Sequence, residues 1–172
     1  MSTLAIPTVL AVEDDPFIRT DLRFILEAAG FEVCADARDG VEAVELARRH
    51  APDAILLDLA LPRLDGIEVT RRILAERDVP IVALTGRSHE LAARAIEAGA
   101  ASYVLKPFAE TDLVGALFDA IAAHAEAAAS AARAESRRAI VQLLTLLGYP
   151  EDWAPELEQR AFASGKVWRI RH

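Results

Sequence analysis

Five side chains in this sequence stand at the ends of short apolar runs, and their types could make a reactive site. Glu13 and Asp14 follow Thr8-Val9-Leu10-Ala11-Val12, and Asp58 ends Ala54-Ile55-Leu56-Leu57. Thr85 ends Pro80-Ile81-Val82-Ala83-Leu84, and Lys106 follows Ser102-Tyr103-Val104-Leu105. Carboxylates about 4 Å apart repel by about 1 kcal/mol in water and about 4 kcal/mol at the intermediate dielectric near a protein surface. Either one carboxyl keeps its proton or a cation joins the three. Every donor is oxygen, with no His or Cys in the set, so the cation is hard. Mg2+ fits best, because it accepts few protein ligands and keeps its waters. Lys106 would be wasted on a metal and suits an anion that arrives and leaves. A phosphoryl group fits, its charge shared by metal and ammonium while the Thr85 hydroxyl donates to another oxygen. One carboxylate can itself be the nucleophile and form an aspartyl phosphate. Asp58, between the acidic pair and the lysine and hydroxyl runs, is the choice.

Such a site needs a frame that brings strand ends together. The run before Asp58 is apolar at every position, the pattern of a parallel strand buried on both faces. Strands are expected at 8–12, 31–35, 54–58, 80–85 and 102–105. Between them lie helical periodicities: Phe17, Ile18, Leu22, Ile25 and Leu26 up to Gly30, 39–50, a helix opened by Asp65-Gly66, and one ending at Gly99. Asp15 reads as an N-cap, with Pro16 in the first turn. Strict alternation predicts a doubly wound, five-stranded parallel sheet, whose ligand sites lie at the carboxyl ends of the strands. From Asp112 to about Leu147 the sequence is rich in alanine and free of proline, which predicts one long helix. Leu117, Ile121, His124, Ala128 and Ala131 follow a 4-3-4-3 spacing, as a coiled-coil seam would. Ile140, Leu143, Leu144 and Leu147 make an apolar stripe near its end. Gly148-Tyr149-Pro150 breaks the helix, and 155–163 predicts another. Tyr149, Trp153, Phe162 and Trp168 could fold the tail back as a small cap, with Val167 and Ile170 in the last segment.

The 172 residues suit one domain plus an appendage. The single cysteine, Cys34, sits in an apolar run, so no disulfide framework exists and a reducing compartment fits. Met1-Ser2-Thr3 has no basic n-region, and no apolar stretch approaches about 18 uncharged residues. Neither signal peptide nor membrane span is expected, and the chain reads as cytoplasmic. Residues 1–132 carry 12 Lys/Arg against 22 Asp/Glu, and residues 133–172 carry 7 against 5. An acidic body argues against nucleic-acid binding by the main domain. The four histidines, at 50, 89, 124 and 172, form no cluster.

Val12-Glu13-Asp14-Asp15-Pro16, Leu57-Asp58-Leu59-Ala60-Leu61-Pro62 with Asp65-Gly66, Ala83-Leu84-Thr85-Gly86 and Tyr103-Val104-Leu105-Lys106-Pro107-Phe108 resemble the receiver domain of two-component response regulators. The resemblance covers about residues 7–124 and implies a flavodoxin-like (βα)5 fold, with residues 125–172 as a helical extension. It implies that Asp58 is the phosphoacceptor, loaded by a sensor histidine kinase or a histidine phosphotransfer protein. Asp14 would bind Mg2+ directly, Glu13 through water, and the Ala60 backbone carbonyl would complete the protein's share. Lys106 would hold phosphoryl oxygens ahead of a cis bond to Pro107. Thr85 would swing toward the phosphoryl group, and Tyr103 would turn inward behind it. Ala60 and Arg87 occupy positions that tune hydrolysis. Duller roles are open to each: Lys106 as a structural ion pair with Asp58, Thr85 as a strand end, Tyr103 as a half-buried aromatic.

Such a domain catalyses its own phosphorylation and slow dephosphorylation and is no turnover enzyme. Haloacid-dehalogenase-type phosphatases also use an aspartyl phosphate, but with an Asp-x-Asp pattern at the first strand that Glu13-Asp14 does not supply. The tail is short for a DNA-binding module and has no basic recognition helix, so dimerisation or docking of a downstream protein through the long helix is expected. The alternative is an RNA-binding antiterminator: 147–154 with Arg160-Ala161 faintly resembles an ANTAR-type bundle, although the basic Ala-Lys-Gly stretch expected near Arg138–Val141 and a full third helix are absent.

Overall fold

The computed structural model describes residues 6–86, 89–148 and 150–163; Arg87, Tyr149 and the segment with Val167, Trp168 and Ile170 lie outside them, as does the side chain of Phe162. The elements alternate as the sequence predicts: β1 (Thr8–Val12), α1 (Pro16–Ala28), β2 (Glu32–Ala37), α2 (Gly40–His50), β3 (Ala54–Asp58), α3 (Gly66–Glu76), β4 (Ile81–Thr85), α4 (His89–Glu97), β5 (Ser102–Leu105) and α5 (Glu110–Leu147). The five strands pair in parallel in the order β2-β1-β3-β4-β5. The order reverses between β1 and β3, and their carboxyl ends flank the crevice where such sheets bind ligands.

Side chains alternate across the strands into two layers. On one face Val9, Ala11, Leu56, Val82, Leu84 and Val104 pack against Leu22 and Leu26 of α1 and Leu113 and Leu117 of α5. On the other, Leu10, Val12, Ile55, Leu57 and Ile81 meet Ala43, Ala47, Val69 and Ile73 of α2 and α3. Every residue of β3 and β4 is buried, so both apolar runs are explained by burial on both faces. Asp15, Asp39 and Asp65 each accept two backbone N–H groups at the starts of α1, α2 and α3. Each cap is worth about 1 kcal/mol.

Two expectations need correction. β2 runs to Ala37, two residues past the expected end at Ala35, because an irregularity at Val9/Leu10 shifts its register and lets Asp36 and Ala37 pair with Ala11 and Val12. Asp36 is tolerated there because the Arg23 guanidinium donates to its Oδ2 from Nε at 3.1 Å and from Nη2 at 2.5 Å. The supposed coiled-coil seam is also partly spent within the domain. Leu117 is fully buried and Ile121 packs on the same cluster, while Ala128 and Ala131 are exposed.

Gly40 follows the Asp39 cap because nothing larger fits. A Cβ there would lie 2.1 Å from the Leu64 carbonyl oxygen and 2.7 Å from Val69 Cγ2. Gly40→Ala must push the 59–65 loop off α2, and a loss of about 1–3 kcal/mol is expected in denaturant unfolding. A variant as stable as wild type would show that the loop yields freely.

The chain divides after His124 into two compact units. The second holds the rest of α5, a 3-10 turn (Glu151–Trp153) and α6 (Ala154–Ala163). Gly148, at φ +74°, ends α5, and Thr145 Oγ1 donates to Glu151 Oε1 at 3.0 Å across the turn. The apolar stripe is rotated from the expected one: Leu144 is buried and Ile140 and Val141 half-buried, whereas Leu143, Leu146 and Leu147 are exposed. Trp153 is half-exposed. By length and composition α5 could cross a membrane. Its first turns are apolar because Leu113 and Leu117 fill the sheet's core.

Candidate functional site

The carboxyl ends of β1, β3 and β5 bring three charged groups into direct contact. Glu13 stays in the sheet one residue beyond β1, its N–H bonded to the Ala37 carbonyl at 3.0 Å, and it is 1% exposed. Lys106 Nζ donates to Glu13 Oε2 at 2.7 Å and to Asp58 Oδ2 at 3.1 Å. The remaining oxygens are also engaged: Asp15 N–H donates to Glu13 Oε1 at 3.2 Å, and Ala60 N–H to Asp58 Oδ1 at 3.2 Å. Asp58 is buried, whereas Asp14 is exposed at the mouth. One carboxylate oxygen from each of Glu13, Asp14 and Asp58 lies within 4.8 Å of the others.

Burial pushes the Glu13 carboxyl above its ordinary value; the Lys106 hydrogen bond opposes this, and the Asp58 charge reinforces it. Burial also acts to lower the Lys106 ammonium, but the hydrogen bond to Glu13 and the charge of Asp58 outweigh it and leave the group above the ordinary lysine value. Three carboxylates and one ammonium leave two negative charges when all are ionised. An all-oxygen set with that residual charge suits one hard divalent cation.

Thr85 ends β4 beside this cluster, with its carbonyl accepting the Lys106 N–H at 2.7 Å. Its hydroxyl is buried and has no hydrogen-bond partner among the described residues. A buried hydroxyl left unpaired costs free energy, so this one is available to an acceptor that enters the site. Tyr103, opposite Ala83 in the β4–β5 register, is 41% exposed and stands outside this cluster. Ala60 is exposed, and the Lys106–Pro107 bond is cis.

Sequence reasoning missed two arginines. Arg19 Nη1 donates to the backbone carbonyls of Glu13 at 2.6 Å and Asp14 at 3.2 Å. Arg63, in the loop after Asp58, adopts φ +66°, and its Nη1 donates to Asp39 Oδ2 at 2.9 Å, tying that loop to the cap of α2. Arg19 occupies an ordinary polar position on α1, and no periodicity marks Arg63.

The doubly wound sheet, with acids and a lysine meeting at the carboxyl ends of β1, β3 and β5 and a buried hydroxyl ending β4, defines an α/β domain of the flavodoxin-like class. Residues 9–118 match the response regulator receiver domain, and the chain belongs to that family. It is 40% identical over 147 residues to the transcriptional regulatory protein PdtaR of Mycobacterium tuberculosis, covering 81% of this chain and 72% of that one. A LuxR-family two-component response regulator from an Aurantimonas species superposes with a TM-score of 0.66 and 34% identity, over 69% of this chain and 87% of that one. CheY of Borrelia burgdorferi, solved in complex with CheX, BeF3 and Mg2+, gives 0.63 and 26% identity over 66% and 89%.

Proposed function

We propose that residues 1–124 act as a phosphoacceptor switch in which Asp58 takes a phosphoryl group from a phosphohistidine of a sensor kinase or phosphotransfer protein. The observation that carries this is the buried Asp58 carboxylate held by Lys106, with the Thr85 hydroxyl at the end of the next strand lacking a partner among the described residues. In the transfer the donor's N–P bond breaks, an Asp58 O–P bond forms, and the imidazole leaves. Lys106 then exchanges a carboxylate for a phosphoryl oxygen, and the Thr85 hydroxyl gains a phosphoryl oxygen as acceptor. Glu13, Asp14, Asp58 and the Ala60 carbonyl are the groups to hold Mg2+, which supplies charge neutralisation at the phosphoryl oxygens. The Borrelia CheY complex was solved with Mg2+, which supports that choice of ion. Tyr103, exposed in this state, would follow Thr85 inward, as the family resemblance implies. Positioning and charge do most of the work in phosphoryl transfer, so a domain of this kind loads itself and slowly hydrolyses its own product.

Incubation with a small phosphoryl donor and Mg2+ tests the proposal. One added phosphoryl group per chain, labile to hydroxylamine, is expected; no mass change would overturn it.

The raised Glu13 carboxyl adds a pH prediction. Mg2+ needs the ionised form, so protons compete more effectively than at an ordinary glutamate. Apparent Mg2+ affinity is expected to fall as pH falls through a value above 4.5, followed by calorimetric titration. An affinity that stays flat until below 4.5 contradicts the burial argument.

For residues 125–172 we propose an output role in the cytoplasm. The exposed Leu143, Leu146 and Leu147 favour self-association or docking of a downstream protein through the end of α5. A shift to smaller elution volume on phosphorylation would support dimerisation. One observation favours RNA as the alternative partner. The match to a protein named as a transcriptional regulator runs longer than the receiver domain itself, and Arg133, Arg137 and Arg138 are exposed on α5. RNA retention falling steeply with salt would support that alternative, and its absence would retire it.

A further inference from the structure

We propose that Arg19 is a positioning residue for the acidic loop, holding Asp14 in the orientation that cation binding needs. The inference rests on reading Glu13, Asp14 and Asp58 as a divalent-cation site. Three consecutive acids, Glu13, Asp14 and Asp15, occupy the turn out of β1, and they must be sent in different directions. Glu13 is fixed by burial and by Lys106. Asp15 is fixed by capping Phe17 N–H at 2.8 Å and Ile18 N–H at 3.1 Å. Asp14 is exposed, so packing does not hold it, and its direction is set by the backbone on either side.

Arg19 acts at that backbone. Its Nη1 donates to the Glu13 carbonyl at 2.6 Å and the Asp14 carbonyl at 3.2 Å. Those carbonyls belong to the peptide planes before and after the Asp14 Cα, so one nitrogen pins both. Arg19 is itself anchored, its own N–H bonded to the Asp15 carbonyl at 2.9 Å in the first turn of α1. The guanidinium addresses backbone carbonyls and so does not compete with a cation for the carboxylate oxygens.

Charge and positioning make opposite demands, which makes the idea testable. A guanidinium near a cation site repels the ion, so deleting it for charge reasons alone would tighten binding. Deleting a group that orients a ligand weakens binding, typically by about 10–100-fold. In the full chain, titrated calorimetrically with MgCl2, Arg19→Ala is expected to bind about tenfold more weakly than wild type. Arg23→Gln removes an equal charge from α1, at a residue paired with Asp36 and Glu27, and serves as the charge control. Weakening in Arg19→Ala but not in Arg23→Gln supports the inference; equal or tighter binding in Arg19→Ala overturns it. Should Arg19→Ala fail to fold, Arg19→Gln decides by the same sign, since it too drops the charge and is too short to span both carbonyls. A wild type that takes up no Mg2+ overturns the cation-site reading and this inference with it.

Discussion

Asp58→Asn is expected to abolish phosphoryl uptake, by more than about 100-fold, or about 2.7 kcal/mol of barrier, while leaving the fold intact. The amide has nearly the shape of the carboxylate, and its oxygen can still accept the Ala60 N–H that now bonds Oδ1. What it lacks is the anionic nucleophile. Lys106 keeps its shorter bond, at 2.7 Å, to Glu13. Removing the Asp58 charge also takes away one of the influences that raise Glu13, so the metal-free variant should be no less stable than wild type. Intact-mass analysis after incubation with donor and Mg2+ reads the first effect, and thermal unfolding the second. Label retained on the variant would mean that another acid is the acceptor.

Lys106→Met has the other large effect, and it acts on stability as well as chemistry. Methionine keeps much of the stem's packing but removes the ammonium that two buried carboxylates share. Breaking one side of a buried pair strands the other, at a cost of about 3 kcal/mol. The sign of the pH dependence follows from Glu13, whose folded-state carboxyl is raised above 4.5. Such a group contributes stability that is fully present below its unfolded value and lost as pH rises through the folded one. The deficit of Lys106→Met should therefore be greatest near neutral pH and shrink in acid. Mg2+ at 100 times its dissociation constant should return about 2.7 kcal/mol, because it binds the folded state alone. Denaturant melts at two pH values, with and without Mg2+, check all three. A variant equally stable at both pH values, and indifferent to Mg2+, would show that the ammonium is not the counter-charge for this site.

The strand and helix order was legible from the sequence because burial on both faces leaves an unbroken apolar run, and a helix packed on one face leaves a 3.6-residue repeat. β3 and β5 fall where the runs place them, and the cap at Asp15 follows from a side chain that accepts N–H groups at a helix start. The site's chemistry was legible for a related reason. A charged or hydroxyl group at the end of a buried strand needs a partner, and several such ends in one parallel sheet must lie along one edge. The errors arose where a local pattern had two uses. The repeat through Leu117 and Ile121 reads equally as a seam for a second chain or as the face of α5 that covers the sheet, and the sheet takes it. The sequence pattern stops β2 at Ala35, short of the charged Asp36, because the partner that lets Asp36 stay in the strand, Arg23, lies on another element.

The amino-acid sequence by itself determined the alternating elements, the acids, lysine and threonine at the strand ends, and so the family's characteristic groups. Only the tertiary structure decided which of those groups touch. Lys106 meets Glu13 across 93 residues and Asp58 across 48. Strand order and register set such distances, and neither leaves a mark in the spacing of residues along the chain. The same holds for Arg19 on the acidic loop and Arg63 on the α2 cap. Each is a long, flexible cation whose partner is chosen by whatever the completed fold brings within reach.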